Sequence, residues 1–402
     1  MSEEKLVPKL RFECSLEEYK KYKLGELVEN VVAGATPKTS VDDYWNGGDI
    51  PWLSSGEVHK KFIYFTDKFI TSEGYNNSST KIVPTNSVLI ALAGQGKTRG
   101  TVAINKIELC TNQSIASIIP NEMLNYKYLF YYLESKYEYL RALSSSDGGR
   151  GGLNLKLIRS IPIQVPSIKE QENISNFINE IDKKILLLEQ KHKLYDDFKK
   201  YLMQQIFTQK LRFTDYIEEW KTIKLKDVGE INTGNTPSTK VNEYYSPKKY
   251  LWVTPSDISS KYIFDTAKRL SDEGAKKGRF VKKNSVLVTC IASIGKNCII
   301  LEDGYFNQQI NSITPSQSFD LDFIYYLIDY NSEKMKNYAG ITATPILNKK
   351  SFENMKFEFP SFDEQKQISN MLSNIDNKIF AIEELINKTQ KFKKGLLQQM
   401  FV

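Results

Sequence analysis

The longest amphipathic pattern in the chain runs from Glu170 to Phe207, without a glycine or proline. Its seam positions recur at alternating spacings of 4 and 3: Ile174, Ile178, Ile181, Ile185, Leu188, His192, Tyr195, Lys199, Leu202 and Ile206. A second stretch ends at Phe401 and gives Ile368, Leu372, Ile375, Ile379, Ile382, Ile386, Thr389, Lys393, Leu396 and Met400. With Tyr195 counted as apolar and His192 not, eight of ten positions are apolar in each set. Such spacing over several heptads predicts two long helices with a coiled-coil seam. At 1.5 Å per residue each is about 60 Å long. Neither helix can bury its stripe alone, and the partner closest to hand is the other copy. The pair is antiparallel if the globular parts stand at opposite ends. A parallel pair, or burial against another subunit, is the alternative.

The two helices belong to a tandem duplication. Residues 167–207 lie over 361–401 without a gap, offset by 194, with 18 identities in 41 positions. Among them are Glu170-Gln171 over Glu364-Gln365 and Ile181-Asp182 over Ile375-Asp376. Outside the helices, Lys9-Leu10-Arg11-Phe12 recurs as Lys210-Leu211-Arg212-Phe213. Gly34, Thr36 and Pro37 fall on Gly234, Thr236 and Pro237, and Trp52 on Trp252. Asn112-Gln113 falls on Asn307-Gln308, and Leu153-Asn154 on Leu347-Asn348. The offset drifts from 201 to 194, as loop insertions would make it. A period near 200 marks a duplicated domain pair rather than a solenoid.

Each copy begins with about 150 residues of short β-rich runs bounded by Asn, Pro and Gly, such as 87–92 and 285–289. Helix-like stretches lie between them, at 126–140 and 321–328. The predicted fold is α+β: two similar globular domains separated by two long helices that pair as an antiparallel coiled coil. The expected parts are an N-terminal segment at 1–20, repeated at 210–221; a first domain at 21–166; a central helix at 167–209; a second domain at 210–360; and a terminal helix at 361–402.

Composition narrows the class. The 402 residues are 41% hydrophobic and 26% charged, ordinary globular values. The longest apolar run, Val88 to Ala93, is far short of the roughly 20 residues of a membrane span. The opening Met-Ser-Glu-Glu-Lys has no apolar stretch behind it. Four cysteines in such a chain are not a disulfide framework. The expectation is a soluble, cytoplasmic protein. The net charge is +7, and residues 1–166 carry +2 and residues 208–360 carry +4 of it. The excess therefore sits in the globular parts, where contact with phosphate would place it. The densest basic run, Lys268-Arg269 through Lys282-Lys283, is either a solvated face or part of such a contact.

Catalytic patterns are weak. Ala91-x4-Gly96-Lys97-Thr98 fits a loose nucleotide loop, but Thr101-Val102-Ala103-Ile104 after it reads as strand, not as the required helix N-terminus. The second copy, Ile294-Gly295-Lys296-Asn297, lacks the hydroxyl for Mg²⁺. A glycine turn carrying Lys97 and Arg99 instead suits a loop that approaches a polyanion, or a plain hairpin. His59 has no Cys or His at ligand spacing, and His192 occupies a seam position. Glu364-Gln365-Lys366 hints at a nuclease lysine, but the first copy has Glu172 in that place. No catalytic residue and no metal ligand is assigned.

The order globular domain, long helix, globular domain, long helix resembles the specificity subunit of type I restriction-modification systems. The Gly-x-Thr-Pro segments, the Trp52 and Trp252 segments, the Asn-Gln and Leu-Asn pairs, and Pro-x-x-x-Glu-Gln at Pro166 and Pro360 carry the resemblance. It implies two target recognition domains, each reading one half of a bipartite double-stranded DNA site, on helices that act as spacer and docking surface. The implied partners are two methyltransferase subunits and motor-endonuclease subunits, with no membrane. S-adenosylmethionine, ATP and Mg²⁺ would then belong to those partners, and this chain would be non-catalytic.

Polar side chains on the domain turns are the candidate DNA contacts, since the copies differ most there. In the first domain they are Ser54, Ser55, Gln95, Lys97, Arg99, Arg150 and Asn154; in the second, Thr254, Ser256, Ser293, Lys296, Thr342, Thr344 and Asn348. Ser, Thr and Asn also bond their own backbone readily, so each has a purely local alternative. Two other functions stay open: a coiled-coil adaptor that never touches DNA, and a catalytic DNA methyltransferase or nuclease.

Overall fold

The computed structural model describes residues 8–12, 18–94, 97–143, 152–339 and 345–401. Two helices dominate it, the central Ile168–Phe207 and the terminal Phe362–Met400. Asp182 of the central helix meets Lys393 of the terminal one, and Lys199 meets Asp376. As one helix advances, its partner recedes, so the two pair antiparallel. All ten seam positions of each helix are buried or half-buried. An isolated stripe of this kind has little stability in water, so the helices exist because they are packed.

The chain forms two compact units that cut across the sequence repeat: Met1–Glu189 with Leu385–Val402, and Gln190–Glu384. Each unit therefore holds one globular part, the first half of that part's own helix, and the second half of the other helix. In the first unit Ile174, Ile178, Ile181 and Ile185 share one core with Leu396, Leu397, Met400 and Phe401. In the second unit Leu202, Met203 and Ile206 share a core with Ile368, Leu372 and Ile375.

The globular part of the first unit is built on a five-stranded sheet. Its order is Val28–Ala33, Ile115–Pro120, Val88–Ala91, Val102–Asn105 and Phe62–Ile63, antiparallel except for the last pair. Lys68–Ile70, Ile50–Leu53 and Cys110–Thr111 make a smaller sheet. Lys20–Lys23 pairs with Pro162–Val165. Val88–Ala91 and Val102–Asn105 are buried at every position, so, apart from the buried Asn105, their sequences read as continuous apolar runs rather than alternations.

The second unit repeats the plan with Gly229–Thr233, Ile310–Pro315, Ser285–Thr289, Asn297–Ile300 and Tyr262–Ile263. Its smaller sheet gains a strand, Arg279–Val281. Lys221–Lys224 pairs with Lys356–Phe359.

The stretch read as one helix over 126–140 is two helices, Tyr126–Ser135 and Tyr137–Leu143. At the break the Ser135 hydroxyl donates to the Tyr132 carbonyl at 2.6 Å, competing with the helical ladder. In the other unit Leu321–Tyr330 ends the same way, with Asn331 Nδ2 on the Leu327 carbonyl at 2.8 Å.

Candidate nucleic-acid interface

The segments shared by the two copies assemble into one rim. In the first unit the strand Ile50–Leu53 ends beside Asn112, whose N–H donates to the Leu53 carbonyl at 3.0 Å. The strand Val88–Ala91 ends beside Ser114, whose carbonyl accepts from Leu92 N at 2.8 Å. Gln113 thus lies between the two strand ends, at the tip of a turn in which Ser114 N donates to Asn112 Oδ1 at 3.1 Å. The Gly34-Ala35-Thr36-Pro37 segment packs on this turn. A Cβ on Gly34 would stand 1.8 Å from the Thr111 carbonyl oxygen, so only glycine permits the approach. The buried Trp52 donates its indole N–H to the Ala35 carbonyl at 3.0 Å. Thr36 Oγ1 then donates to Gln113 Oε1 at 2.6 Å.

The second unit builds the same rim from the matching residues. Asn307 N donates to the Val253 carbonyl at 3.0 Å, and Cys290 N to the Gln309 carbonyl at 2.7 Å. A Cβ on Gly234 would stand 2.1 Å from the Asn307 carbonyl oxygen. Trp252 Nε1 donates to the Asn235 carbonyl at 3.4 Å, and Thr236 Oγ1 donates to Gln308 Oε1. Trp52 and Trp252, both 4% exposed, are core residues that fix the loop.

The candidate contact residues fall around this rim in different states. Lys97, Ser293 and Lys296 are exposed, and Arg99 is half-buried. The Lys97 carbonyl accepts from Tyr137 OH at 2.8 Å, which holds the turn in place. Several others form local bonds. Ser54 Oγ donates to Glu57 Oε2 at 3.1 Å, and Thr254 Oγ1 to Asp257 Oδ2 at 2.6 Å with Ser256 Oγ alongside. Ser55 begins the short helix that Ser54 caps. Asn154 and Asn348 cap the helices Leu155–Arg159 and Lys349–Asn354, accepting from Leu157 N and Ser351 N at 2.9 Å each. Gln95, Arg150, Thr342 and Thr344 lie outside the described residues.

The chain that follows Lys97 is the strand Val102–Asn105, hydrogen-bonded antiparallel to Val88–Ala91. The loop therefore closes a hairpin and has no helix N-terminus to hold a nucleotide phosphate. Two of the seven basic residues of the run are paired with neighbouring carboxylates: Arg269 with Asp265 at 2.9 Å and Lys276 with Glu273 at 2.5 Å. Burial pushes the Cys290 thiol up to about 12, well away from a reactive thiolate.

Residues 16–194 and 217–391 each match the type I restriction modification DNA specificity domain. The chain belongs to that family.

The type I restriction enzyme MjaVIII specificity subunit of Methanocaldococcus jannaschii is 23% identical over 95% of this chain and 91% of its own. The EcoR124I/EcoR124II specificity subunit of Escherichia coli is 29% identical over 151 residues, and the chain spans 37% of that relative's length. Among solved structures, the type I restriction-modification system S subunit from M. genitalium superimposes with a TM-score of 0.62 at 14% identity. That likeness covers 98% of this chain and 99% of the other, and shows a common fold.

In this family member the Glu-Gln pairs that open the two helices do work that sequence patterns did not reveal. Glu170 accepts from Arg11 Nε and Nη2, both at 2.8 Å, and from Tyr19 OH at 3.2 Å. Glu364 accepts from Arg212 Nε at 3.1 Å and Nη2 at 2.8 Å, and from Trp220 Nε1 at 3.3 Å. Gln171 Oε1 accepts from Asn125 N, and Gln365 Oε1 from Asp320 N, at 2.9 Å each. Both pairs are buried, and each ties the start of a helix to its globular part. The recurrence of Arg11-Phe12 and Glu170-Gln171 as Arg212-Phe213 and Glu364-Gln365 was the signal that could have linked them.

Two polar clusters interrupt the apolar seam. Lys393 Nζ contacts both Asp182 oxygens and Glu134 Oε2, and lies over the Tyr131 ring at 5.1 Å. In the second unit Lys199 contacts Asp376 and lies over the Tyr326 ring at 5.2 Å. Burial would raise the Glu134 carboxyl, but Lys393 and Lys61 outweigh it and hold the group below its ordinary value. Burial and the neighbouring carboxylates push both tyrosine hydroxyls far up. His192 bonds Asp196 on its own helix at 3.2 Å.

Proposed function

We propose that this chain is the DNA sequence-specificity subunit of a type I restriction-modification complex, each globular domain reading one half of a bipartite site. The observation that carries this is the rim: one frame of Gly, Thr, Trp, Asn and Gln built twice, with different side chains on the loops that leave it. The loop that carries Lys97 and Arg99 in one unit carries Ser293 and Lys296 in the other. A shared frame with dissimilar tips suits two different patterns of base edges in the major groove.

The helices serve as spacer and as docking surface for two methyltransferase subunits, which motor-endonuclease subunits join. Large apolar side chains exposed on them support docking: Phe177, Leu187 and Phe392 in the first unit, and Leu194, Phe198 and Tyr201 in the second. Base flipping and S-adenosylmethionine belong to the methyltransferase subunits, and ATP and Mg²⁺ to the motor. This chain is non-catalytic, and the complex acts in the cytoplasm on double-stranded DNA. No helix among the described residues is long and apolar enough to cross a membrane.

Methylome sequencing of a host with and without this gene, its methyltransferase gene present in both, tests the reading. A split adenine-methylated motif should appear only with this gene. An identical methylome in both strains would refute it.

A further inference from the structure

We propose that Gln113 and Gln308 are matched, sequence-independent anchors for the DNA sugar-phosphate backbone, each oriented by the threonine of its Gly-x-Thr-Pro segment. The proposal rests on the DNA-reading function above and deepens it by assigning which part of the rim meets which part of the duplex.

Four observations lead to it. The first is position. Gln113 lies between the ends of the strands whose following loops carry Ser54 and Lys97, and Gln308 between those whose loops carry Thr254 and Lys296. The second is exposure: both glutamines are exposed at turn tips, on loops fixed by the buried Trp52 and Trp252. The third is polarity. Each Oε1 accepts from a threonine hydroxyl, and no described residue accepts from either Nε2. Each glutamine therefore keeps both Nε2–H donors available, and phosphate oxygens are acceptors only.

The fourth is sameness. The neighbouring tips differ between the two units, as reading two different half-sites requires. The Thr-Gln pair does not differ, so it faces something common to both half-sites. The phosphate backbone is common to every DNA sequence, and fixing register on it is what such contacts do. Two copies of one methyltransferase subunit would also be common to both halves. Backbone is favoured because the glutamines sit among the loops that carry the reading residues and the exposed Lys97 and Lys296, and because their uncommitted Nε2–H groups are donors that phosphate oxygens match.

The test uses the assembled complex of this chain with its methyltransferase subunits. Duplexes with and without the methylated motif are titrated across a salt series, for the wild type and for Gln113→Ala, Gln308→Ala, Gln113→Glu and Gln308→Glu. The glutamate variants keep an oxygen for the threonine hydroxyl and replace the free donors with an acceptor, so they leave the fold intact. Each alanine variant should weaken both duplexes by the same factor, roughly five- to tenfold. The glutamate variants should weaken them further. The salt slope should stay unchanged for the alanine variants, because a neutral contact releases no counterion. Thr36→Val should produce a smaller loss of the same kind.

A change in the methylated motif would make the glutamines base readers and overturn the proposal. Loss of methyltransferase from the complex, with affinity unchanged in what remains assembled, would make them a partner contact and overturn it too. Unchanged affinity in every variant would remove them from the interface. A wild-type complex that directs no split motif would instead refute the underlying function, which separates the two failures.

Discussion

Lys393 Nζ lies 2.8 Å from each carboxylate oxygen of Asp182, with 7% of the lysine side chain exposed. The same two positions in the other copy, Lys199 and Asp376, meet at 2.7 Å with 17% and 24% exposed. Each pair joins the C-terminal half of one helix to the N-terminal half of the other. Both lysines sit on the seam, where a polar residue lowers stability but fixes register.

Removing the buried lysine leaves Asp182 uncompensated and Glu134 with Lys61 alone. Lys393→Ala should cost about 3–5 kcal/mol, the range for breaking a buried ion pair. Lys199→Ala should cost less, because its pair is wetter. Chemical denaturation of the full chain gives both values, and an equal or larger loss at Lys199 would contradict the burial argument.

The same cluster sets a pH window. The Glu134 carboxyl is held below its ordinary 4.5, so its contribution is present above that pH and fades as pH falls through the lowered value. Burial lowers the Lys61 ammonium, but Glu134 and Asp182 outweigh it and raise the group above 10.5. Its contribution is complete below 10.5 and fades as pH rises through the raised value. Glu134→Gln should flatten the acid arm of a stability-pH profile, and an unaltered acid arm would show that another group controls it.

A new charge at an apolar seam position is buried among isoleucines and leucines. Ile181→Asp or Ile375→Asp should lower the melting temperature sharply, because an unpaired buried carboxylate costs several kcal/mol. A wild-type melting curve for either variant would refute the seam.

Gly34→Ala tests the rim frame. Its Cβ would overlap the Thr111 carbonyl, so the loop must move, at about 1–3 kcal/mol for an overpacked site. The loss should come with weakened DNA binding, since Thr36 can no longer reach Gln113. Full stability together with full binding would show that the loop has slack.

Lys97→Ala should weaken binding to all duplexes alike and reduce the salt slope by about one. Affinity that is unchanged across the salt series would place Lys97 away from DNA.

The two helices were legible in the sequence because a heptad stripe is a local, periodic property that needs no knowledge of the fold. The duplication was legible for a similar reason: identity at a fixed offset survives whatever the chain does in space. The motifs Gly34-Ala35-Thr36-Pro37, Trp52 and Asn112-Gln113 were visible as separate marks, but not as one object. Their unity rests on hydrogen bonds between residues 17 and 77 apart, which leave no period behind. The Arg11 to Glu170 tie, 159 residues long, was hidden for the same reason. Only the tertiary structure decided that each unit takes half of the other copy's helix. The antiparallel pairing expected from the sequence is the one direction in which Lys393 can bury against Asp182 while Lys199 meets Asp376.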